Sequence, residues 1–291
     1  MLSKLHHKKL NKLKNEFNSL KEGKESLLRI LNEVELPEAV YNSNAIENST
    51  LTISETEDIL LNMEISRNIE LREIFEARNL ATVTEYIQKN RKRLRINIET
   101  ILLLHKMLIS NINNDIAGRF RKKTEYVRVG NYLAPAPEEI NEMMNGLLEN
   151  FKDEDKDILV KIIEFHLAFE KIHPFIDGNG RIGRVLINLM LLKEGLPQII
   201  IKNSEKQYYY ATFKLYDRNE KEKALKDFGR IVFLQLSESF HKRIAYLDGK
   251  KIKTLIKFSK SGDESINSLI NKAKRQTIPA FRERGVWKIG A

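Results

Sequence analysis

The residues best placed for chemistry lie in one run, His173-Pro-Phe-Ile-Asp-Gly-Asn-Gly-Arg-Ile-Gly-Arg184. An apolar stretch at 158–172 precedes it and reads as a helix that Pro174 stops. A second helix follows, with Ile182, Val185, Leu186, Leu189 and Met190 on its buried side and Gly195 and Pro197 at its end. Gly178, Asn179 and Gly180 therefore fall at a helix N-terminus. Two glycines permit positive φ and close backbone approach, so exposed N–H groups can converge on one anion. The helix end adds about half a positive charge there. Arg181 and Arg184, three apart on the first turn, are expected to fork onto phosphate oxygens. Asp177 offers a hard oxygen ligand for Mg²⁺ beside the same phosphates. His173, a residue type with an ordinary pKa of about 6.5, can take a proton from an attacking hydroxyl. Phosphate cradle, metal carboxylate and general base are the components of phosphoryl or nucleotidyl transfer.

This run matches the Fic family motif, H-P-F-x-D/E-G-N-G-R-x-x-R, at every defined position. The resemblance extends over about residues 38–240. Gly118-Arg-Phe-Arg121 with Val127-Arg128-Val129-Gly130 resembles the family's flap, and Ala134 to Pro137 its proline-rich exit. The stretch 196–217, with Tyr209 and Tyr210, resembles the segment that closes over adenosine. The family resemblance implies a protein adenylyltransferase. His173 would deprotonate a Ser, Thr or Tyr hydroxyl of a target protein, or of the chain itself, which attacks the α-phosphate of ATP. Asp177 would hold Mg²⁺; the backbone of Gly178, Asn179 and Gly180 would bind developing charge with Arg181; Arg184 would take the γ-phosphate. The flap would align the target by strand addition. Two departures stand out: the stretch 122–126 is longer than in members with a shorter flap, and Asp217 occupies a position where asparagine often contacts nucleotide.

Ser43-Asn-Ala-Ile-Glu47-Asn48 matches the family's inhibitory pattern, S/T-x-x-x-E-G/N, ahead of the core. A carboxylate from Glu47 on Arg184 would remove the γ-phosphate's partner and leave the α-phosphate badly aligned. The resemblance thus implies autoinhibition, and in some members the same glutamate supports removal of AMP. The alternatives are another nucleotide or phosphoryl donor using the same loop, or a DNA-binding regulator with a Fic sensor body. The phosphotransferring relatives carry lysine where this chain has Gly180.

The elements that must position these groups read as mainly helical. An amphipathic helix is expected over residues 4–35, ended by Pro37, then a short inhibitory helix at 38–48. Further helices are expected over 54–64, 66–90 and 96–110, a hairpin turning at Gly130-Asn131, and helical structure from Glu138 and over 155–240. Residues 249–264 read as a link to a helix at 265–275, followed by strands Thr277–Phe281 and Val286–Ile289. The expected fold is a Fic-type helical core with a β-hairpin flap plus a small C-terminal winged-helix-like segment. The expected domains are 1–37, 38–240 and 241–291, and the tail's wording weakly resembles excisionase-like and MerR-like wings.

Residues 241–291 hold thirteen Lys or Arg against four Asp or Glu, so they carry +9 of the chain's +10. That tail is a candidate partner for DNA, while the body is close to neutral. No cysteine is present, which excludes disulfides, thiolate metal sites and a cysteine nucleophile. A bacterial cytoplasmic setting without membrane contact is expected, and the exposed helical faces are compatible with a homodimer.

Overall fold

Helix α1 (Lys4–Lys21) opens at Ser3, whose hydroxyl accepts the His6 N–H. Its buried stripe, Leu10, Leu13 and Phe17, packs against the long helix α10 (Lys221–Leu247), with Phe17 edge-on to Phe240. The computed structural model describes residues 2–65, 68–130, 132–260, 262 and 264–291. In it, the single helix expected over 4–35 is two. The chain breaks at Gly23, where φ is +72°, a conformation that costs glycine little. Helix α2 (Glu25–Ile46) then runs through Pro37 instead of ending there. Proline removes one backbone hydrogen bond and crowds the preceding turn. Buried Val40 and Ile46 and the partnered side chains of Glu38 and Asn42 offset that cost. The segment 38–48 is therefore the last turns of α2 with its cap, and the 37/38 boundary falls inside one helix.

The next elements are α3 (Ile53–Glu57), which passes into a π turn (Asp58–Asn62), then α4 (Leu71–Asn90) and α5 (Ile98–Ile109). Helix α4 begins later than residue 66, and residues 66–67 lie outside the described residues. Helices α6 (Ile140–Phe151), α7 (Ile158–Ile172), α8 (Asn179–Lys193) and α9 (Lys206–Asp217) complete the body. Helix α8 is the central one: Ile182, Leu186, Leu189 and Leu191 are all fully enclosed, with α7, α5, α4 and α2 against it. The flap is a short antiparallel pair, β1 (Arg128–Val129) and β2 (Tyr132–Leu133), with Val129 opposite Tyr132. Gly130 sits in the turn at φ +58°; its expected partner there, Asn131, lies outside the described residues.

The C-terminal region differs from the expected link. Helix α10 continues past residue 240, and within 249–264 lie β3 (Ile252–Thr254) and α11 (Leu255–Ser259). After α12 (Ile266–Lys274) come β4 (Ala280–Glu283) and β5 (Val286–Gly290), forming an antiparallel sheet of order β3-β5-β4. β3 is short and lysine-flanked, so little in its own sequence marks it; pairing of Lys253 with Ile289 makes it a strand. Leu255, Leu269, Ala273, Ala280 and Ile289 form a small core separate from that of the body. Residues 261 and 263 lie outside the described residues. Among those described, no helix is long and apolar enough to cross a membrane.

Candidate active site

The loop between α7 and α8 is built to hold one backbone shape. His173 is the first residue off α7, left-handed at φ 50° and ψ 59°, with its N–H still donating to Phe169 O. Asn179 closes the turn with its side chain: Phe175 N–H donates to its Oδ1 and its Nδ2 donates to Phe175 O, both at 2.9 Å. Gly178 has φ +82°, and a β-carbon there would lie 3.1 Å from Leu108 Cδ2 and 3.2 Å from Ile109 Cδ1. Both conformation and space therefore require glycine. From below, His105 Nδ1 accepts the Gly118 N–H, which leaves Nε2 as the donor to Asp177 O, while the ring stacks on Phe175 at 3.7 Å.

The two arginines expected to converge on phosphate instead point to different carboxylates. Arg181 is buried and pairs with Glu76 at 3.2 Å and Asp177 at 3.0 Å. Arg184 turns toward α2: Nε donates to Ser43 Oγ, and Nη2 donates to Ser43 O and to Glu47 Oε1 at 2.8 Å. A buried guanidinium needs charged acceptors, and the side chains of Glu76, Asp177 and Glu47 supply them. The Glu47 carboxylate lies against the loop itself, since a β-carbon at Gly180 would sit 2.2 Å from its Oε1. Asn48 lies beyond, accepting from Lys206 Nζ at 2.7 Å. Arg181 Nε and Arg184 Nη1 are buried with no hydrogen-bond partner, an unused donor on each guanidinium.

Burial pushes the His173 imidazole down to about 4, so it is neutral at physiological pH. Its Nδ1 lies 3.3 Å from Glu170 O; a donor there leaves Nε2 as a free base. Burial works against the charge of Asp177, but Arg181 and Arg72 outweigh it and hold the carboxyl below its usual range. Burial likewise opposes the charge on Arg184, and Glu47 more than restores it. For Glu170, burial outweighs the opposing charge of Arg184 and raises the carboxyl to about 8. Among the described residues no group of three or more His, Asp or Glu could hold a metal ion. Asp177 alone fits Mg²⁺ only as one carboxylate whose remaining ligands are phosphates and water, the usual magnesium pattern.

A cavity of about 800 Å³ opens over the loop, walled by His173, Gly180, Arg184, Tyr210, Val129 and Asp217 among others. Tyr209 is fully buried, with its hydroxyl 2.7 Å from His166 Nε2 and its ring under Arg184. It forms the cavity floor. Tyr210 OH donates to Ile46 O, tying the cavity wall to the end of α2. Of the flap residues, Val129 and Gly130 reach the cavity, Arg128 Nε folds back onto Gly130 O, and Val127 O accepts the Ala134 N–H.

Three site residues carry no signal in the sequence, and a fourth, Arg121, is marked there only as part of the flap. Arg72 and Glu76, on α4, bracket Asp177 and Arg181. His105 supports the loop, and buried Arg121 joins the flap to it: its Nε donates to His173 O, Nη1 to Glu125 O and Nη2 to Pro135 O. The Arg119–Phe–Arg121 wording was the only local signal. The others depend on partners far along the chain.

Fold and loop together define a helical domain whose central helix presents a glycine-flanked N-terminus beside a neutral histidine. Residues 95–191 match the family model described as Fic/DOC. Similar curated proteins include protein adenylyltransferase Fic of Nematostella vectensis, 33% identical over 177 residues, covering 59% of this chain and 41% of that protein. Protein adenylyltransferase fic-1 of Caenorhabditis elegans is 29% identical over 206 residues, covering 69% of this chain and 40% of that protein. The chain thus spans about two fifths of the length of these relatives. The fold is shared with a Fic-domain-containing signaling protein from Bacteroides thetaiotaomicron (TM-score 0.75, 24% identity, 83% of this chain and 97% of that one). Fic-1 of C. elegans, residues 134–508, superposes with TM-score 0.70 at 25% identity over 82% of this chain and 70% of that one.

Proposed function

We propose that this chain transfers AMP from ATP to a Ser, Thr or Tyr hydroxyl of a protein and that Glu47 holds the reaction back. The observation that carries this reading is the Glu47 carboxylate. It is bonded to Arg184 and lies against Gly180, in the mouth of the anion site and beside the neutral His173.

In the transfer, His173 Nε2 takes the proton of the attacking hydroxyl. Its oxygen bonds to the α-phosphorus as the bond from that phosphorus to the β-phosphate bridge breaks, and pyrophosphate leaves. The backbone at Gly178–Gly180 and the unused Arg181 donor stabilise charge on the α-phosphate. Arg184 takes the γ-phosphate once Glu47 withdraws. Asp177 would hold a Mg²⁺, which supplies charge neutralisation on the phosphates when bound; Arg72 must release that carboxylate first. Tyr210 and Asp217 lie where adenosine would enter, over the Tyr209 floor. The exposed flap, with Leu133 outermost, would add a strand of the target, a mode that tolerates varied side chains. Naming of the relatives as protein adenylyltransferases supports the choice of AMP over other nucleotides.

Duplex DNA is a second candidate partner, at the C-terminal module, favoured by exposed Lys257, Lys260, Lys274 and Arg275 on and beside α11 and α12. The transfer reading is tested with α-labelled ATP and Mg²⁺ on wild type, Glu47→Gly, and Glu47→Gly with His173→Ala. Label on protein is expected with Glu47→Gly and absent when His173 is also removed. Absence of label from every variant would overturn the reading.

A further inference from the structure

Helix α2 is gripped along its length by residues that come from the far end of the chain. Asn32 and Glu35 accept from Arg243 Nη2 at 2.9 and 2.7 Å, and Glu35 also pairs with Lys242 at 3.1 Å. Lys242 in turn reaches Glu283, on β4, at 3.3 Å. One turn on, Glu38 uses one oxygen for Lys202 and the other for the backbone N–H of Arg284, at the turn between β4 and β5. The Arg284 guanidinium continues to Glu57 at 2.8 Å. Arg282 fixes the base of the same hairpin, forking onto Glu238 and touching Glu205.

These anchors bracket a weak point. Pro37 lies between Glu35 and Glu38, and a proline in a helix interior leaves one turn without its backbone hydrogen bond and free to bend. Beyond it, α2 rises roughly 14 Å to Glu47 at about 1.5 Å per residue. A small change of angle at Pro37 is therefore magnified at the carboxylate that meets Arg184. Other holds on this stretch, all within the body, include Asn203 N–H on Asn42, Arg184 on Ser43 and Glu47, Lys206 on Ala45 and Asn48, and Tyr210 on Ile46.

We propose that the C-terminal hairpin braces α2 at its proline and so sets how firmly Glu47 occupies the anion site, with Glu38 and Arg284 as positioning residues. This rests on the reading of Glu47 as a brake. Whatever draws the hairpin off Glu38 and Glu57 would loosen the end of α2 without touching the loop. The hairpin's basic residues are held by carboxylates of the body, so a competing polyanion is the chemistry suited to displace them.

The test uses the full chain with two readouts: amide hydrogen exchange across residues 38–48, and labelling from α-labelled ATP. Arg284→Glu sets a carboxylate against Glu57 and so repels the turn whose backbone N–H holds Glu38. It is expected to speed exchange at 40–47 by about fivefold, the scale of one exposed ion pair, and to raise labelling similarly. Combining it with Glu57→Arg should restore slow exchange. Replacing Pro37 by Ala in the Arg284→Glu chain should do the same by returning the missing hydrogen bond. In a Glu47→Gly background, Arg284→Glu should add no further labelling. Wild-type exchange at 40–47 in Arg284→Glu overturns the proposal, as does an equal gain in labelling on top of Glu47→Gly. If Glu47→Gly yields no label at all, the transferase reading fails while the exchange data still decide whether the hairpin braces α2.

Discussion

Two parts of this molecule set arginines against carboxylates, and they do so to different ends. On α8, Arg181 and Arg184 are almost wholly enclosed, each faces a carboxylate, and each keeps a buried donor without a partner. On the C-terminal hairpin, Arg282 gives both sides of its fork to Glu238, reaches Glu205 as well, and lies 4.8 Å from the Trp287 ring centroid. Arg284 beside it is two-thirds exposed. A satisfied buried pair docks one surface on another. A buried guanidinium with a donor to spare is set for a ligand richer in oxygen than the carboxylate it now holds, and phosphate is such a ligand.

The largest effect expected from this contrast is at Glu47. Its replacement by Gly should raise nucleotide transfer about 100-fold, the scale of a corrected misalignment near 1 Å, measured as initial labelling rate. An unchanged rate would remove the distinction between the two arginine sites. At the hairpin, Arg282→Ala strands Glu238 in a mostly buried position and should cost about 3 kcal/mol of stability, read from urea unfolding, while leaving the loop chemistry intact. Gly180→Ala sharpens the comparison at the loop. Its β-carbon would collide with Glu47 Oε1, so the carboxylate must move, at a cost of about 1–3 kcal/mol visible in the same unfolding curves. It should also fail to gain activity, because the new methyl occupies the anion site.

Two smaller effects come from protons. Burial lowers His166 to about 3 and His241 to about 4, below the unfolded value near 6.5. The unfolded chain therefore binds protons first as pH falls, and stability present above pH 6.5 should decline from there toward pH 4. Glu170 runs the other way. Its folded value of about 8 exceeds the unfolded 4.5, so its contribution is full below pH 4.5 and is lost as pH rises through 8. Glu170→Gln should flatten that loss. Thermal midpoints of both proteins from pH 4 to 9 would show it, and parallel curves would count against a buried neutral Glu170.

The loop was legible because everything it needs lies in one contiguous run, where helix stop, glycines, arginines and histidine are read at known spacing. Its supports were not. Arg72 meets Asp177 from 105 positions away, and His105 meets the same residue from 72. The segment 38–48 reads from sequence as a short helix of its own, whereas it is the end of the longer helix α2. Local propensity disfavours an interior proline and so marks Pro37 as a boundary; the burial of Val40 and Ile46 and the tertiary partners of Glu38 and Asn42 override that preference. In the basic tail, the sequence shows the sum of the charges and not their partners. Its hairpin arginines and Lys242 turn out to face Glu35, Glu57, Glu205, Glu238 and Glu283, so the net charge overstated what is open to a partner.

Glu47 is the first residue beyond the last helical one of α2, and Asn48 after it is left-handed. The proposed brake therefore sits at the terminus of a helix, where local opening costs less than in its interior. Lifting it asks for one turn of motion, so open and closed chains can coexist in a standing ratio. A 100-fold gain on removing the carboxylate would mean that about one wild-type chain in a hundred is open at any instant, a gap near 2.7 kcal/mol. A ligand needs only a modest preference for the open form to change the output of the whole population.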